Sequence, residues 1–320
     1  MQSDMTTRPG RNTSLRIALV LVCLGTLALA PFFVYPLFLM KVMCFALFAA
    51  AFNLLLGYTG LLSFGHAAFF GGAAYFTAHA VKVWGLPPEL GILLGVAGAA
   101  LLGLVIGFLA IRRQGIYFAM VTLAMAQMFY FFCYQAPFTR GEDGIQAVPR
   151  GMLFGLFNLE NDMTMYFFVA TVFVLALLMI WRIVHSPFGM ILKSIRENEA
   201  RSTSLGYSVM RYKLTAFVMS AALAGLAGSM KTLVFKLASL TDVSWHTSGE
   251  VVLMALLGGL GTQAGPLVGA GLVVTLQNYL VALAIPVTVI VGSVFMLCVL
   301  LFRRGIVGEL LAYIEARKTR

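Results

Sequence analysis

Long apolar runs separated by short polar segments dominate this sequence. A membrane-crossing helix needs about 20 consecutive apolar residues, and most of the runs approach that length. The pattern predicts an all-α polytopic membrane protein with about ten transmembrane helices and a single transmembrane domain over residues 1–320. The predicted helices are Leu15–Val34, Leu37–Leu56, Gly60–Val81, Leu90–Ile111, Ile116–Gln135, Thr164–Ile183, Leu214–Leu233, Glu250–Gly261, Leu267–Ile285 and Val287–Phe302.

Basic residues predict the orientation, because cytoplasmic segments of membrane proteins carry the excess of lysine and arginine. The basic segments are the N-terminal tail 1–14, the pair Arg112–Arg113, the loop 185–213 and the C-terminal tail 303–320. The loop 136–163 has four acids and two arginines, and it is predicted to be periplasmic. Ten crossings satisfy this pattern with both termini in the cytoplasm. The short, glycine-rich helix Glu250–Gly261 is expected to be either a full crossing or a re-entrant segment.

Composition supports a membrane protein. Hydrophobic residues make up 61% of the chain and charged residues 11%, whereas a soluble domain has about 25% charged residues. The net charge of +10 comes from bases at the ends of apolar runs, which indicates membrane orientation and not nucleic-acid binding. The cysteines have no metal-ligand spacing, and no metal or other cofactor is expected to bind this chain. The four cysteines are Cys23, Cys44, Cys133 and Cys298.

The loop 185–213 carries its own helical pattern. Ser186 and Pro187 suit a helix N-cap and the first helical position, and Gly206 is placed to end a second short helix. Between them the apolar residues recur with helical period and form one stripe. The stripe consists of Phe188, Ile191, Leu192 and Ile195. Such a stripe needs an apolar surface, which could be the membrane interface or a groove on a soluble partner.

Two glycine-rich stretches, residues 53–75 and 248–266, differ from plain lipid-facing helix. Polar side chains at membrane depth have to be paired or line a cavity, and broken helices often build transporter sites. The candidate pathway residues are Tyr58, Thr59, Ser63, His66, Gly258, Gly261, Thr262 and Gln263. The alternative is tight helix packing with locally satisfied hydrogen bonds. Glu250 either lies at the headgroup level or pairs with a cation in the pathway.

Several segments carry a family resemblance that extends from about Asn53 to Phe302. They are Asn53–Tyr75, Gly115–Phe118, Thr139–Gly144, Ser194–Ala200, Leu205–Gly206 and Arg211–Leu214. Together they resemble the permeases of ABC importers, most closely the LivM-type permeases for branched-chain amino acids. The sequence departs from the family pattern at Arg140, where a second glycine is usual, at Arg201 after Glu199-Ala200, and at Gly206, which comes one residue late.

The resemblance implies the permease subunit of an ABC importer in a bacterial inner membrane. Such a subunit has no ATPase site of its own, and ATP with magnesium is used by partner subunits. The implied partners are a second related permease subunit, two ATP-binding subunits and a periplasmic substrate-binding protein. The implied substrate is a branched-chain or other hydrophobic amino acid, with urea or short amides as the alternative.

The resemblance also implies roles for two loops. The cytoplasmic coupling loop would dock into a cleft on an ATPase subunit. Its candidate residues are Ile195, Arg196, Glu197, Glu199, Arg201, Leu205 and Gly206. In the periplasmic loop the candidate residues are Arg140, Glu142 and Asp143.

Two functions of other classes fit the sequence less well. An ion-coupled secondary transporter would need buried carboxylates or cation sites, and Glu250 is the only near candidate in the predicted helices. A membrane-embedded enzyme would need a convergent set of acids, bases or metal ligands, and the sequence offers none. A phosphate-loop-like run at residues 225–232 has Met230 in place of the second glycine and lies inside an apolar helix.

Overall fold

The computed structural model describes residues 25–155 and 157–282, together with residues 290, 292–293, 295–297, 300 and 305–309. This part of the chain is mostly helical, and its α-helices and strands are numbered in chain order. The helices are α1 (Pro36–Thr59), α2 (His66–Lys82), α3 (Pro88–Ala110), α4 (Ile116–Gln135), α5 (Asp162–Val184), α6 (Pro187–Glu197), α7 (Glu199–Ser204), α8 (Val209–Phe235), α9 (Trp245–Gly258) and α10 (Gly265–Ala282). The strands are β1 (Ile145–Gln146), β2 (Met152–Leu153), β3 (Phe157–Asn158) and β4 (Leu237–Ala238).

Some predicted segments fall wholly or partly outside the described residues. They are the tails 1–14 and 303–320 and the predicted helices Leu15–Val34, Leu267–Ile285 and Val287–Phe302. Within the described residues, helix α4 has the predicted bounds, and α1, α5 and α8 extend the predicted helices by up to five residues at an end. Helix α3 starts two residues and ends one residue earlier than predicted. The predicted helix Glu250–Gly261 was placed too late, because α9 starts five residues earlier and already ends at Gly258.

Helices α1 and α8 form the core of the bundle. Five described helices, α1, α3, α4, α5 and α8, are long and apolar enough to cross a membrane. In α1 and α8, 72% of the apolar stretch is buried inside the chain, against 28% in α3, α4 and α5. The outer three helices therefore leave most of their apolar surface for lipid or for another subunit, as expected when a bundle lies in a bilayer.

The predicted helix Gly60–Val81 begins too early. Helix α1 continues to Thr59, and Gly60 ends it in the left-handed conformation with φ +75°. Residues 60–65 are not helical, and α2 starts only at His66. Glycine adopts this conformation without steric cost, so it is a frequent helix terminator. The apolar pattern runs through this break unchanged, which is why hydrophobicity alone could not locate it.

Helices α9 and α10 form a tight antiparallel hairpin around a non-helical break at residues 259–264. A Cβ atom added to Gly258 would lie 1.8 Å from the Gly265 oxygen, and one added to Gly269 would lie 1.9 Å from the Met254 oxygen. No side chain fits in these gaps. Small residues let helix backbones approach closely in a membrane, so these glycines serve the contact between the two helices.

The two ends of the bundle carry different structural elements. One end, called the loop end, carries α6 and α7 together with Gly60 and the break at 259–264. The other, called the strand end, carries the loop between α4 and α5 and residues 236–244. There β1 pairs antiparallel with β4, with Ile145 opposite Ala238. The Lys82 ammonium also donates a hydrogen bond to the Gln146 carbonyl, which holds the C-terminus of α2 at this end.

Arg150 ties the strand end together. Its side chain is 5% exposed, and its guanidinium donates to the carbonyls of Leu233 and Val234 at 3.1 and 2.8 Å, in the last turn of α8. It also forms an ion pair of 2.7 Å with Asp162, the first residue of α5. The last carbonyls of a helix have no partners within the helix, and a cation there is favourable. Arg150 thus caps α8 and joins it to α5.

Candidate functional site

The two short helices of the loop end form as the sequence predicts. The Ser186 hydroxyl accepts a hydrogen bond from the Gly189 amide at 3.4 Å, and Pro187 occupies the first turn of α6. Gly206 follows α7 with φ +89°. The Gly206 amide donates to the Thr203 carbonyl and the Tyr207 amide donates to the Ser202 carbonyl. This is the Schellman arrangement, in which glycine closes the helix.

The apolar stripe of α6 faces the chain's own bundle. Leu192 and Ile195 are 0% and 3% exposed, and Phe188 and Ile191 are half-buried. Helix α6 contacts α1, α5 and α8. Two surfaces were predicted for this stripe, the membrane interface and a groove on a soluble partner. Neither prediction is right, because the stripe packs against helices of its own chain. Ile195 is buried beneath α6, so a direct contact of its side chain with a partner is not available in this conformation.

The opposite side of the loop is open. The predicted coupling residues Glu197, Arg201, Leu205 and Gly206 are exposed, and Leu205 is 66% exposed. Glu199 has an internal role, because its carboxylate pairs with the buried Lys213 ammonium at 2.7 Å. This ion pair fixes α7 against the start of α8. The loop therefore presents an apolar tip, Leu205, on a rigid support.

Arg196 connects the loop to the helix bundle. Its guanidinium donates a hydrogen bond to the Gly57 carbonyl near the end of α1. A Cβ atom added to Gly60 would lie 3.2 Å from its Cγ, and one added to Gly261 would lie 3.4 Å from its Nη1. Arg196 thus contacts both the end of α1 and the break between α9 and α10.

Asn53 holds the break in place. Its Nδ2 donates to the Thr262 carbonyl at 2.8 Å, and its Oδ1 accepts from the Gly261 amide at 3.0 Å. One side-chain amide therefore satisfies two backbone groups that no helix can satisfy there. A buried backbone group left without a partner costs about 1–3 kcal/mol, so Asn53 stabilises an otherwise unfavourable conformation. Asn53 was not among the residues predicted from the sequence, although it is a polar residue inside an apolar run.

Two cavities lie at the loop end. The first, of about 400 Å³, is lined by Gly57, Tyr58, Lys193, Arg196, Glu197 and Gly261. Lys193 places its ammonium 5.6 Å from the centre of the Tyr58 ring, within cation–π range. With two cations and one acid, this cavity can hold an anionic group. The second cavity, of about 460 Å³, is mostly apolar and is lined by helices α1, α5 and α10, with Asn53, Tyr58 and Gln263 as polar members.

His66 and Ser63 lie in the interior, and both are 0% exposed. The Nε2 atom of His66 is 2.9 Å from the Ser220 hydroxyl, and the Ser220 hydroxyl donates to the Ala51 carbonyl at 2.6 Å. The His66 ring also contacts Phe52, Phe69 and Phe217 edge to face. Ser63 accepts from the Gly65 amide at 3.2 Å. These contacts favour the packing alternative, and a role in the pathway stays a prediction for both residues.

The remaining candidates at membrane depth also have internal contacts. The Thr59 hydroxyl donates to the Leu55 carbonyl at 2.6 Å, one turn earlier in α1. The Thr262 hydroxyl donates to the Gly259 carbonyl at 2.8 Å and accepts from the Gly265 amide at 3.1 Å. Thr262 therefore supports the break itself. Of the eight pathway candidates, Tyr58 and Gln263 are those that line the apolar cavity, while Tyr58 and Gly261 line the polar one.

Ser248 makes a structural contact that was not predicted from the sequence. Its hydroxyl accepts a hydrogen bond from the Ala67 amide at 2.9 Å, in the first turn of α2. The first amides of a helix have no partners within the helix. A side chain of α9 thus caps α2, whose own N-cap position is Gly65 and offers no side chain.

At the strand end the predicted loop residues lie on the surface. Arg140 is exposed with φ +61°, and Glu142 and Asp143 belong to an exposed 3₁₀ turn. The Lys236 ammonium donates to Glu160, and this hydrogen bond lowers the pKa of the Glu160 carboxyl below its usual value. Arg150 is the buried arginine of this loop. The sequence pattern did not distinguish it from Arg140.

Comparison with known proteins gives consistent matches. Residues 34–302 match the model of a family described as branched-chain amino acid transport system / permease component. The chain is 30% identical over 260 residues to the high-affinity branched-chain amino acid transport system permease protein LivM of Escherichia coli, a match that covers 72% of this chain and 60% of that protein.

Two further relatives are similar. The LivM permease of Salmonella typhimurium is also 30% identical over 260 residues, with the same coverage of each chain. A probable branched-chain amino acid transport permease protein LivM of Methanocaldococcus jannaschii is 25% identical over 221 residues, which cover 63% of this chain and 60% of that protein. The match thus spans about 60% of the length of these relatives. No solved structure matches.

Proposed function

Because this chain belongs to the branched-chain amino acid transport permease family, we propose that it is the permease subunit of an ABC importer for branched-chain amino acids. It is a multi-pass membrane protein, and we place it in the bacterial inner membrane. The observation that carries this proposal is the family match over residues 34–302, joined to an exposed, internally braced loop at one end of the bundle.

The energy for transport comes from partner subunits in this proposal. The chain would pair with a second related permease subunit, two ATP-binding subunits and a periplasmic substrate-binding protein. ATP and magnesium would be bound by the ATP-binding subunits. Leu205 and the exposed side of α7 would enter a cleft on one of them, where removing the exposed leucine side chain from water favours binding.

The internal contacts of the loop suggest how movement passes into the bundle. A displacement of α6 by the ATPase would act through Arg196 on Gly57, at the end of α1. Asn53, one turn earlier in α1, would carry the movement to Gly261 and Thr262 in the break. The apolar cavity beside this break suits a hydrophobic side chain on its way to the cytoplasm. The break between α9 and α10 is then the part of the pathway that ATP hydrolysis moves.

The proposed topology has ten crossings with both termini in the cytoplasm. The loop end would be cytoplasmic and the strand end periplasmic. Three basic segments support this orientation, because α3 leads to Arg112 at the loop end, α6 and α7 lie there, and Gly305 of the tail lies beside Gly259. Lysine and arginine are enriched on the cytoplasmic side of bacterial membrane proteins.

Cysteine labelling in intact cells tests this orientation. In a background without other cysteines, Gln114→Cys and Ala200→Cys should resist an impermeant thiol reagent added outside, and Glu142→Cys should react. All three positions are exposed in the chain. Asn161 and Asn198 are less suitable, because their side chains cap α5 and α7. Labelling of Ala200→Cys from outside would contradict the proposed function, since the loop could not then meet a cytoplasmic ATPase.

A further inference from the structure

Two ionisable residues lie within the helices at the strand end. Lys41 and Glu250 are each five residues past the start of their helix, α1 and α9, and both helices begin at the strand end. Five residues correspond to about 7.5 Å of helix, so the two charges lie at a similar depth. Ionisable groups inside membrane helices are costly and usually serve function. Glu250 was already a candidate from the sequence pattern, whereas Lys41 was not.

Helices α1 and α9, which carry Lys41 and Glu250, pack against each other. The two side chains do not form an ion pair, because the described part of the chain has four ion pairs within 4 Å and this pair is not among them. The Glu250 carboxylate accepts a hydrogen bond from the Gln277 amide of α10 at 3.1 Å. The Lys41 ammonium has no hydrogen-bond partner among the described residues, although the side chain is half-buried.

A cavity adjoins Lys41. Its volume is about 540 Å³, within the usual range for small-molecule sites. Apart from Lys41, its lining is mostly aromatic or aliphatic, including Phe38 and Phe235, with Asn278 and Tyr279 of α10 as polar members. Glu250 itself does not line this cavity, but its hydrogen-bond partner Gln277 precedes the lining residue Asn278 in α10. An ammonium without a partner at the wall of an apolar cavity, with a carboxylate at similar depth on a neighbouring helix, favours a ligand that carries both charges.

We propose that Lys41 and Glu250 form a binding site for a zwitterionic α-amino acid with an aliphatic side chain. The ligand carboxylate binds the Lys41 ammonium, the ligand ammonium binds the Glu250 carboxylate, and the aliphatic side chain lies in the aromatic cavity. This inference rests on the proposed function and deepens it. It places a substrate site in the permease itself, at the strand end, where a periplasmic binding protein would deliver its cargo.

The ordinary explanation for such a lysine is that its ammonium extends to the headgroups. That explanation accounts for a cation near a helix end, but it gives no role to Glu250 at the same depth. It also predicts that substrate binding is indifferent to Lys41. The two explanations therefore differ in a measurable quantity, the affinity of the assembled complex for a free amino acid.

The test is equilibrium binding of radiolabelled L-leucine to the purified complex in lipid nanodiscs, without the substrate-binding protein. Lys41→Met should weaken leucine binding by about 10- to 100-fold, the usual effect of losing a hydrogen bond to a charged group. Lys41→Arg should retain most of the affinity, because it keeps the charge. Lys236→Met removes a partly exposed lysine at the same end, paired with Glu160, and should leave binding unchanged.

Competition on the wild-type complex keeps the test decisive if a variant fails to assemble. Leucinamide lacks the carboxylate and N-acetyl-leucine lacks the ammonium, so each should compete with leucine at least tenfold more weakly than unlabelled leucine does. In Lys41→Met, leucine and leucinamide should compete equally. Equal competition by all three compounds on the wild-type complex, or unchanged leucine affinity in Lys41→Met, would overturn the inference. ATP-driven leucine uptake by the wild-type complex in proteoliposomes supplied with the substrate-binding protein would show that the proposed function stands regardless.

Discussion

Replacing Arg150 with alanine is expected to cost about 2–6 kcal/mol of folding free energy, because two buried carbonyls lose their donors at about 1–3 kcal/mol each. These are the last carbonyls of α8, at Leu233 and Val234. The lost ion pair adds little, because the Asp162 side chain is 54% exposed and water can solvate its carboxylate. Thermal unfolding of the purified complex, followed by circular dichroism, should show a clear decrease of the midpoint.

Two variants control for charge and for position. Arg150→Lys keeps the positive charge, but a single ammonium cannot reach both α8 carbonyls and the Asp162 carboxylate, so its midpoint should fall between those of wild type and Arg150→Ala. Arg140→Ala removes an exposed arginine from the same loop and should stay within about 0.5 kcal/mol of wild type. If Arg150→Ala unfolded at the wild-type temperature, the capping role of Arg150 would be wrong.

Local signals in the sequence predicted local structure well. Helix α4 has the predicted bounds, and Ser186 and Gly206 begin and end the loop helices as expected. Each of these features depends on residues within a few positions of one another. A serine, proline or glycine has the same conformational preference wherever the chain places it, so its effect can be read before the fold is known.

Contacts between distant parts of the chain were not predicted. Asn53 and Thr262 are 209 positions apart, and nothing near either residue indicates the other. The stripe on α6 was correctly identified as an apolar face, but the sequence does not say which apolar surface will cover it. Likewise, two arginines of one polar loop look alike until the fold buries Arg150 and leaves Arg140 exposed.

Replacing Leu205 with aspartate is expected to reduce leucine uptake by the importer by more than tenfold. Leu205 is 66% exposed at the turn after α7, so the folded permease does not need its side chain. In the proposed complex the same side chain is buried in a cleft of the ATP-binding subunit, where a carboxylate would lose its water without gaining a partner. An unpaired polar group buried in a protein costs about 1–3 kcal/mol and a charged group costs more, and about 1.4 kcal/mol corresponds to a tenfold change in binding.

The readout is ATP hydrolysis by reconstituted complexes with and without leucine-loaded binding protein. In Leu205→Asp, loaded binding protein should no longer stimulate hydrolysis, while the thermal midpoint of the permease stays at the wild-type value. Gln114→Asp is the control, because Gln114 is exposed at the loop end outside the loop 185–213, so a carboxylate there should leave stimulation intact. Full stimulation in Leu205→Asp would mean that the exposed tip of the loop does not contact the ATPase.

In the proposed function, this chain carries a branched-chain amino acid across the membrane only with energy from partner ATPases. The most direct test is uptake of radiolabelled leucine into proteoliposomes that contain either the purified complex, supplied with the substrate-binding protein, or this chain alone. We predict accumulation of leucine by the complex when ATP is present on the side of the loop end, and none when a non-hydrolysable analogue replaces ATP. We predict no accumulation by the chain alone under a proton or sodium gradient. Gradient-driven accumulation by the chain alone would contradict the account and assign the protein to the secondary transporters.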